Sequence, residues 1–136
     1  MKKKEEFSEK TTDLKAVAEE DEKCACKGSY LDKFIQPAVL LCLKEGPSHG
    51  FQLINDLENS GMVSGGSVDP TGLYRTLKKM EGSGHVSSYW DTENYPKPRR
   101  IYSITKQGLH CLGFWKETLK EYNRNIETIL ARMENN

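Results

Sequence analysis

Asp69-Pro-Thr-Gly-Leu-Tyr-Arg-Thr-Leu-Lys-Lys-Met-Glu81 reads as a helix with one face for a core and another for a partner. Asp69 is a good N-cap, because its carboxylate accepts backbone N–H groups that the first turn leaves unpaired. Pro70, at the first helical position, lacks only an N–H that the helix does not use. Leu73, Leu77 and Met80 recur at i, i+4 and i+7 and form one apolar stripe. Thr71, Tyr74, Arg75 and Lys78 occupy the opposite face, and Gly82 and Gly84 end the element.

Upstream of this stretch, the spacing predicts a helix from Leu31 to Lys44. Its residues Phe34, Ile35, Ala38, Val39, Leu41, Cys42 and Leu43 leave almost no polar face, so burial on most sides is expected. Gly46-Pro47 stops it. Ser48 is expected to cap a second helix, His49 to Glu58, with Phe51, Ile54 and Leu57 facing inward. The glycines and serines between Asn59 and Val68 mark a loop.

Downstream, Val86–Asp91 and Arg99–Ile104 are rich in β-branched and aromatic residues and read as strands. Tyr95-Pro-Lys-Pro98 joins them as a stiff, basic hairpin tip, and Trp90 is expected to pack this hairpin on the core. Thr105 caps a last helix running to about Met133. Its apolar residues are Leu109, Leu112, Trp115, Leu119, Tyr122, Ile126, Ile129 and Met133. Those steps of three and four approach the 3.5-residue repeat of a coiled-coil seam. At 1.5 Å per residue this helix spans roughly 40 Å, too long for so small a domain to cover, so a partner helix is expected.

Twenty Lys and Arg balance twenty Asp and Glu over 136 residues, but the charges are unevenly placed. From Thr71 to Lys106 seven basic residues face three acidic ones, and a nucleic-acid partner senses local potential more than the total. Residues 1–27 form a charged arm with few apolar positions and are expected to be loosely ordered. The amino terminus lacks the apolar stretch of a signal peptide, and no run is long enough to span a membrane. A cytoplasmic protein with reduced cysteines is the expectation.

Helix, helix, loop, helix, hairpin is the order of a winged helix-turn-helix. The expected fold is mainly α with a small β-hairpin (α+β): an arm over 1–27, a DNA-binding domain over 28–104 and a C-terminal dimerisation helix over 105–136. In that arrangement the third helix enters a major groove of double-stranded DNA, where Thr71 and Tyr74 offer hydroxyls and Arg75 and Lys78 offer cations. Ser48 and His49 start the second helix, where backbone N–H groups can hold a phosphate. Lys97, Arg99 and Arg100 form the basic wing. Lys79 reads as solvated or phosphate-facing, and His49 reads equally as a surface residue or a backbone contact.

The residues from Leu43 to Leu53, from Asp69 to Glu81 and from Arg99 to Thr105, with the helix that follows, resemble the PadR family of bacterial transcriptional regulators. The resemblance covers most of residues 31–133. It implies a homodimeric repressor of an operator, with the last helix at the dimer interface and, in some members, release of DNA by a phenolic acid or planar hydrophobic compound. The order Thr71-Gly72 inverts the usual pair of the family, and the charged arm is additional.

Trp115 and Tyr122 share the seam of the last helix and are read either as packing or as a slot for a small aromatic effector. Cys24 and Cys26, one residue apart, are candidates for a metal or redox site, or two plain thiols. A protein-interaction adaptor and a metal- or redox-responsive regulator are the alternative functions. No catalytic constellation, phosphate loop or cofactor motif is present, so neither an enzyme nor a cofactor is expected.

Overall fold

The first helix shows how the elements are delimited. Helix α1, Ile35–Lys44, tolerates Pro37 because first-turn N–H groups have no intrahelical partner. It buries Pro37, Ala38, Val39, Leu40 and Leu43. Leu41 is 43% exposed and Cys42 half-buried, so the expected burial on most sides is replaced by a two-sided helix. The computed structural model describes residues 34–63 and 67–135. The arm, the helix start expected at Leu31, and Cys24 and Cys26 lie outside the described residues.

After the turn at Gly46-Pro47 the chain makes a two-residue strand, β1, Ser48–His49, which hairpin logic did not anticipate. It pairs antiparallel with a later strand, Ser48 opposite Tyr102 and His49 opposite Ile101. Helix α2, Gly50–Glu58, therefore starts one residue later than expected. Its cap is His49, not Ser48: the Gln52 amide donates to His49 Nδ1 at 3.1 Å. The helix buries Gly50, Leu53 and Leu57 and leaves Phe51, about 100° round from Gly50, 73% exposed rather than inward.

Helix α3, Pro70–Gly82, forms as its sequence indicates. The Gly72 amide donates to Asp69 Oδ2 at 3.0 Å, and Leu73, Leu77 and Met80 are buried. Gly84, at φ +82°, supplies the left-handed turn that lets His85 N–H reach the Met80 carbonyl at 2.9 Å. Strands β2, Val86–Asp91, and β3, Arg99–Ile104, follow within the anticipated bounds, and the antiparallel sheet runs β1-β3-β2.

Helix α4, Lys106–Glu134, is capped by Thr105, whose hydroxyl accepts from Gly108 N–H at 2.9 Å and donates to the Gly84 carbonyl at 2.6 Å. Gly108 lies so close to the His85 carbonyl that a side chain there would overlap it. The core gathers Val39, Leu40 and Leu43 of α1, Leu53 and Leu57 of α2, Leu73, Leu77 and Met80 of α3, and Val86 and Tyr102 of the sheet. Leu112 and Trp115 of α4 pack on its side. Among the described residues the result is four helices with a small three-stranded antiparallel sheet, an α+β winged helix.

Candidate nucleic-acid interface

Burying Leu73, Leu77 and Met80 turns Thr71, Tyr74, Arg75, Lys78 and Lys79 outward, since residues about 100° apart on a helix divide into two faces. Tyr74 leans across the first residue of α2. A Cβ at Gly50 would come within 2.5 Å of the Tyr74 ring, so glycine there allows α2 and α3 to approach. The amino-terminal turn of α3 is exposed at Pro70 and Thr71, as a reading helix requires.

The hairpin is braced from within. Asp91 accepts from the backbone of Glu93 at 3.0 Å and of Asn94 at 3.1 Å, and from Asn94 Nδ2 at 2.8 Å. These donors, the Asn94 side chain foremost, hold the Asp91 carboxyl below the usual carboxylate range. Tyr95 is a post for two neighbours. The Arg99 guanidinium sits 4.6 Å from its ring centre, and the His49 ring meets it edge-on at 5.6 Å. Arg99 Nη1 also lies 2.8 Å from His49 Nε2. Partial burial, and then the Arg99 charge, push the His49 imidazole below the usual histidine range.

The three wing cations therefore differ. Lys97 is exposed at the tip. Arg99 lies against Tyr95 and His49. Arg100 turns back, donating from Nε to Ser88 Oγ at 2.9 Å and from Nη2 to Glu81 Oε1 at 3.1 Å, while Ser88 Oγ donates to Glu81 Oε2 at 2.6 Å. Glu81 thus ties the end of α3 to the wing and offsets the Arg100 charge. Nothing in residues 69–81 read alone marks Glu81 for this role, because its partners come from β2 and β3. Trp90 is 61% exposed, not packed on the core. It stands at the rim of a cleft shared with α2 and α3, with the Arg100 guanidinium 5.8 Å from its ring centre.

Ser48 is half-buried in β1, its hydroxyl 3.3 Å from the His49 carbonyl. With Phe51, Tyr74, Lys78, Trp90 and Arg99, the start of α2 borders an open cleft of about 730 Å³ between α2, α3 and the wing. The structure brings Tyr74, Lys78, Arg99, Arg100 and His49 to this one cleft. Trp115 and Tyr122 lie elsewhere. Trp115 lines a mostly apolar groove of about 390 Å³ between α1 and α4 with Leu41, Leu109 and Leu119. Tyr122 is exposed two turns on, 6.2 Å from the Phe34 ring.

Among the described residues no group of three or more His, Cys, Asp or Glu is placed to hold a metal. Cys42 and Cys111 are free thiols, and burial pushes the Cys42 thiol up. No helix among the described residues is long and apolar enough to cross a membrane.

Comparison with known structures agrees with this architecture. A PadR family transcriptional regulator from Eggerthella lenta superposes with a TM-score of 0.70 at 24% identity, covering 84% of this chain and 96% of its own. A conserved protein described as a potential transcriptional factor is 34% identical, with a TM-score of 0.65 over 79% of this chain and 93% of its own. Bacillus subtilis PadR in complex with operator DNA matches more narrowly, at 20% identity and a TM-score of 0.52 over 60% of this chain and 44% of its own. Comparison with curated protein sequences gives no match. The model of the PadR-like family of transcriptional regulators matches residues 39–113, which span α3, the whole sheet and the start of α4, and the chain belongs to that family.

Proposed function

We propose that the protein is a homodimeric repressor that places α3 in the major groove of an operator and its wing along the flanking backbone. The observation that carries this reading is the outward row Thr71, Tyr74, Arg75 and Lys78 on a helix whose capped amino terminus is exposed. Arg75 and Lys78 are the cations best placed for base edges or phosphates, and Lys97 and Arg99 for the wing contact. Ser48 and the first amides of α2 suit a phosphate. Arg100, held by Glu81, supports the wing more than it adds free charge. The fold shared with Bacillus subtilis PadR, solved with operator DNA, supports a DNA partner.

In this reading residues 28–104 are the DNA-binding domain, 105–136 the dimerisation helix and 1–27 an accessory arm. Tyr122, Ile126, Ile129 and Met133 leave an apolar stripe along the outer half of α4, which a second copy would cover. The groove at Trp115 is where a small aromatic effector would stack and shift that pairing.

Selection of genomic fragments by the purified protein tests the proposal. The expected product is a roughly palindromic site with half-sites about 34–36 Å apart, bound less tightly as salt is raised. Equal retention of selected and random duplexes would contradict it.

A further inference from the structure

We infer that His49 acts from inside the protein as a positioning residue that aims Arg99 at its target, and that taking up a proton releases that aim. The inference rests on the DNA-binding reading above.

The geometry surrounds the His49 ring with donors. Gln52 N–H points at Nδ1 from 3.1 Å, and Arg99 Nη1 lies 2.8 Å from Nε2 and 3.4 Å from Nδ1. A neutral imidazole has one lone pair in the ring plane and serves one of these donors at a time. An imidazolium serves neither. Protonation would remove the one acceptor that Gln52 and Arg99 share, set a cation against the Arg99 guanidinium, and add positive charge at a helix amino terminus that already carries it.

The other elements around the ring do not offset that charge. From the wing, Tyr95 engages both residues through its ring and brings no carboxylate. From β3 come Arg99 and, further along the cleft, Arg100. From α3 come Tyr74, Lys78 and Glu81, and Glu81 is taken by Arg100. Within α2, Asp56 accepts from the Gln52 side chain at 2.8 Å. Cations outnumber free carboxylates beside the ring. The lowered proton affinity of His49 follows from burial and from Arg99. Because the neutral ring is favoured, its single acceptor lone pair is present above the ordinary value of 6.5 and is lost as the pH falls below it through the lower folded value.

The two roles of His49 predict opposite signs. A histidine that touched phosphate directly would tighten binding on protonation. One that positions Arg99 weakens it.

The full-length chain and its most enriched genomic duplex are titrated at fixed salt from pH 7.5 to 5.5, beside His49→Asn and Arg99→Ala. Asparagine keeps an N-cap acceptor without a proton to gain. Wild-type affinity should fall a few-fold, and at most about tenfold, since pH 5.5 lies one unit below the ordinary histidine value. Both variants should bind more weakly at pH 7.5, with little further change in acid. Nuclear magnetic resonance of the free protein supplies a readout independent of DNA: the Gln52 amide and the Arg99 side chain should shift with the midpoint of the His49 ring. Affinity that rises in acid, variants that keep the wild-type slope, or Gln52 and Arg99 signals that ignore the His49 titration would overturn the inference. A wild-type protein that binds no duplex at pH 7.5 would refute the DNA reading instead, and the resonance result would still decide how His49 and Arg99 are coupled.

Discussion

The inner and outer halves of α4 carry the same three-and-four apolar spacing in different surroundings. Leu112, Trp115 and Leu119 lie half-buried, the first two packed on the core beside α1. From Lys120 to Asn135 every residue is exposed, and Tyr122, Ile126, Ile129, Leu130 and Met133 form an apolar stripe that ends with Met133 at 64% exposure. Periodicity therefore reports which side of a helix is apolar, and not what covers it. In the inner half the cover is the chain itself. In the outer half the proposed cover is a second copy, because an exposed apolar strip of this length is costly in water.

That contrast can be broken by substitution. Leu77→Ala removes a side chain fully inside the core and should cost about 2–5 kcal/mol in urea unfolding, whatever the protein concentration. Ile126→Ala should leave the unfolding of a dilute monomer unchanged. If the two cost the same under dilute conditions, the halves of α4 are not distinct.

Gly108→Ala tests where the inner half is anchored. The added methyl would overlap the His85 carbonyl, so the start of α4 must shift away from the sheet. A loss of about 1–3 kcal/mol is expected from the same unfolding assay. An unchanged midpoint would mean that the close approach is not needed.

The outer half is tested by association. Ile126→Glu with Ile129→Glu should weaken self-association about tenfold or more by sedimentation, with the fold of the monomer intact by circular dichroism. Unchanged association would place the dimer contact elsewhere. The smallest effect belongs to the wing brace: Arg100→Ala opens a half-exposed ion pair with Glu81 and should cost no more than about 1 kcal/mol.

The boundaries most legible in the sequence are those set by local chemistry. Asp69-Pro70 announces the start of α3, Thr105 that of α4, and the prolines at 96 and 98 separate two strands whose residue types already favour extension. The features missed are those made by distant partners. β1 has only two residues and exists because β3 lies beside it. That pairing moves the start of α2 to Gly50 and makes His49 the cap. A strand position leads one to expect Trp90 on the core, whereas it is 61% exposed at the rim of the cleft. At the site, the outward face of α3 follows from the stripe at 73, 77 and 80. The division of labour among Lys97, Arg99 and Arg100 does not, because it depends on Glu81, Tyr95 and His49 arriving from other elements.

The central proposal is that the outer face of α3 grips duplex DNA, and the salt dependence of binding for wild type and Arg75→Ala tests it most directly. Wild type should lose affinity steeply as salt rises. Arg75→Ala should bind more weakly by about 1–3 kcal/mol and, if Arg75 meets a phosphate, with a salt slope shallower by about one. Equal affinity and equal slope for the two proteins, with both folded, would contradict the account.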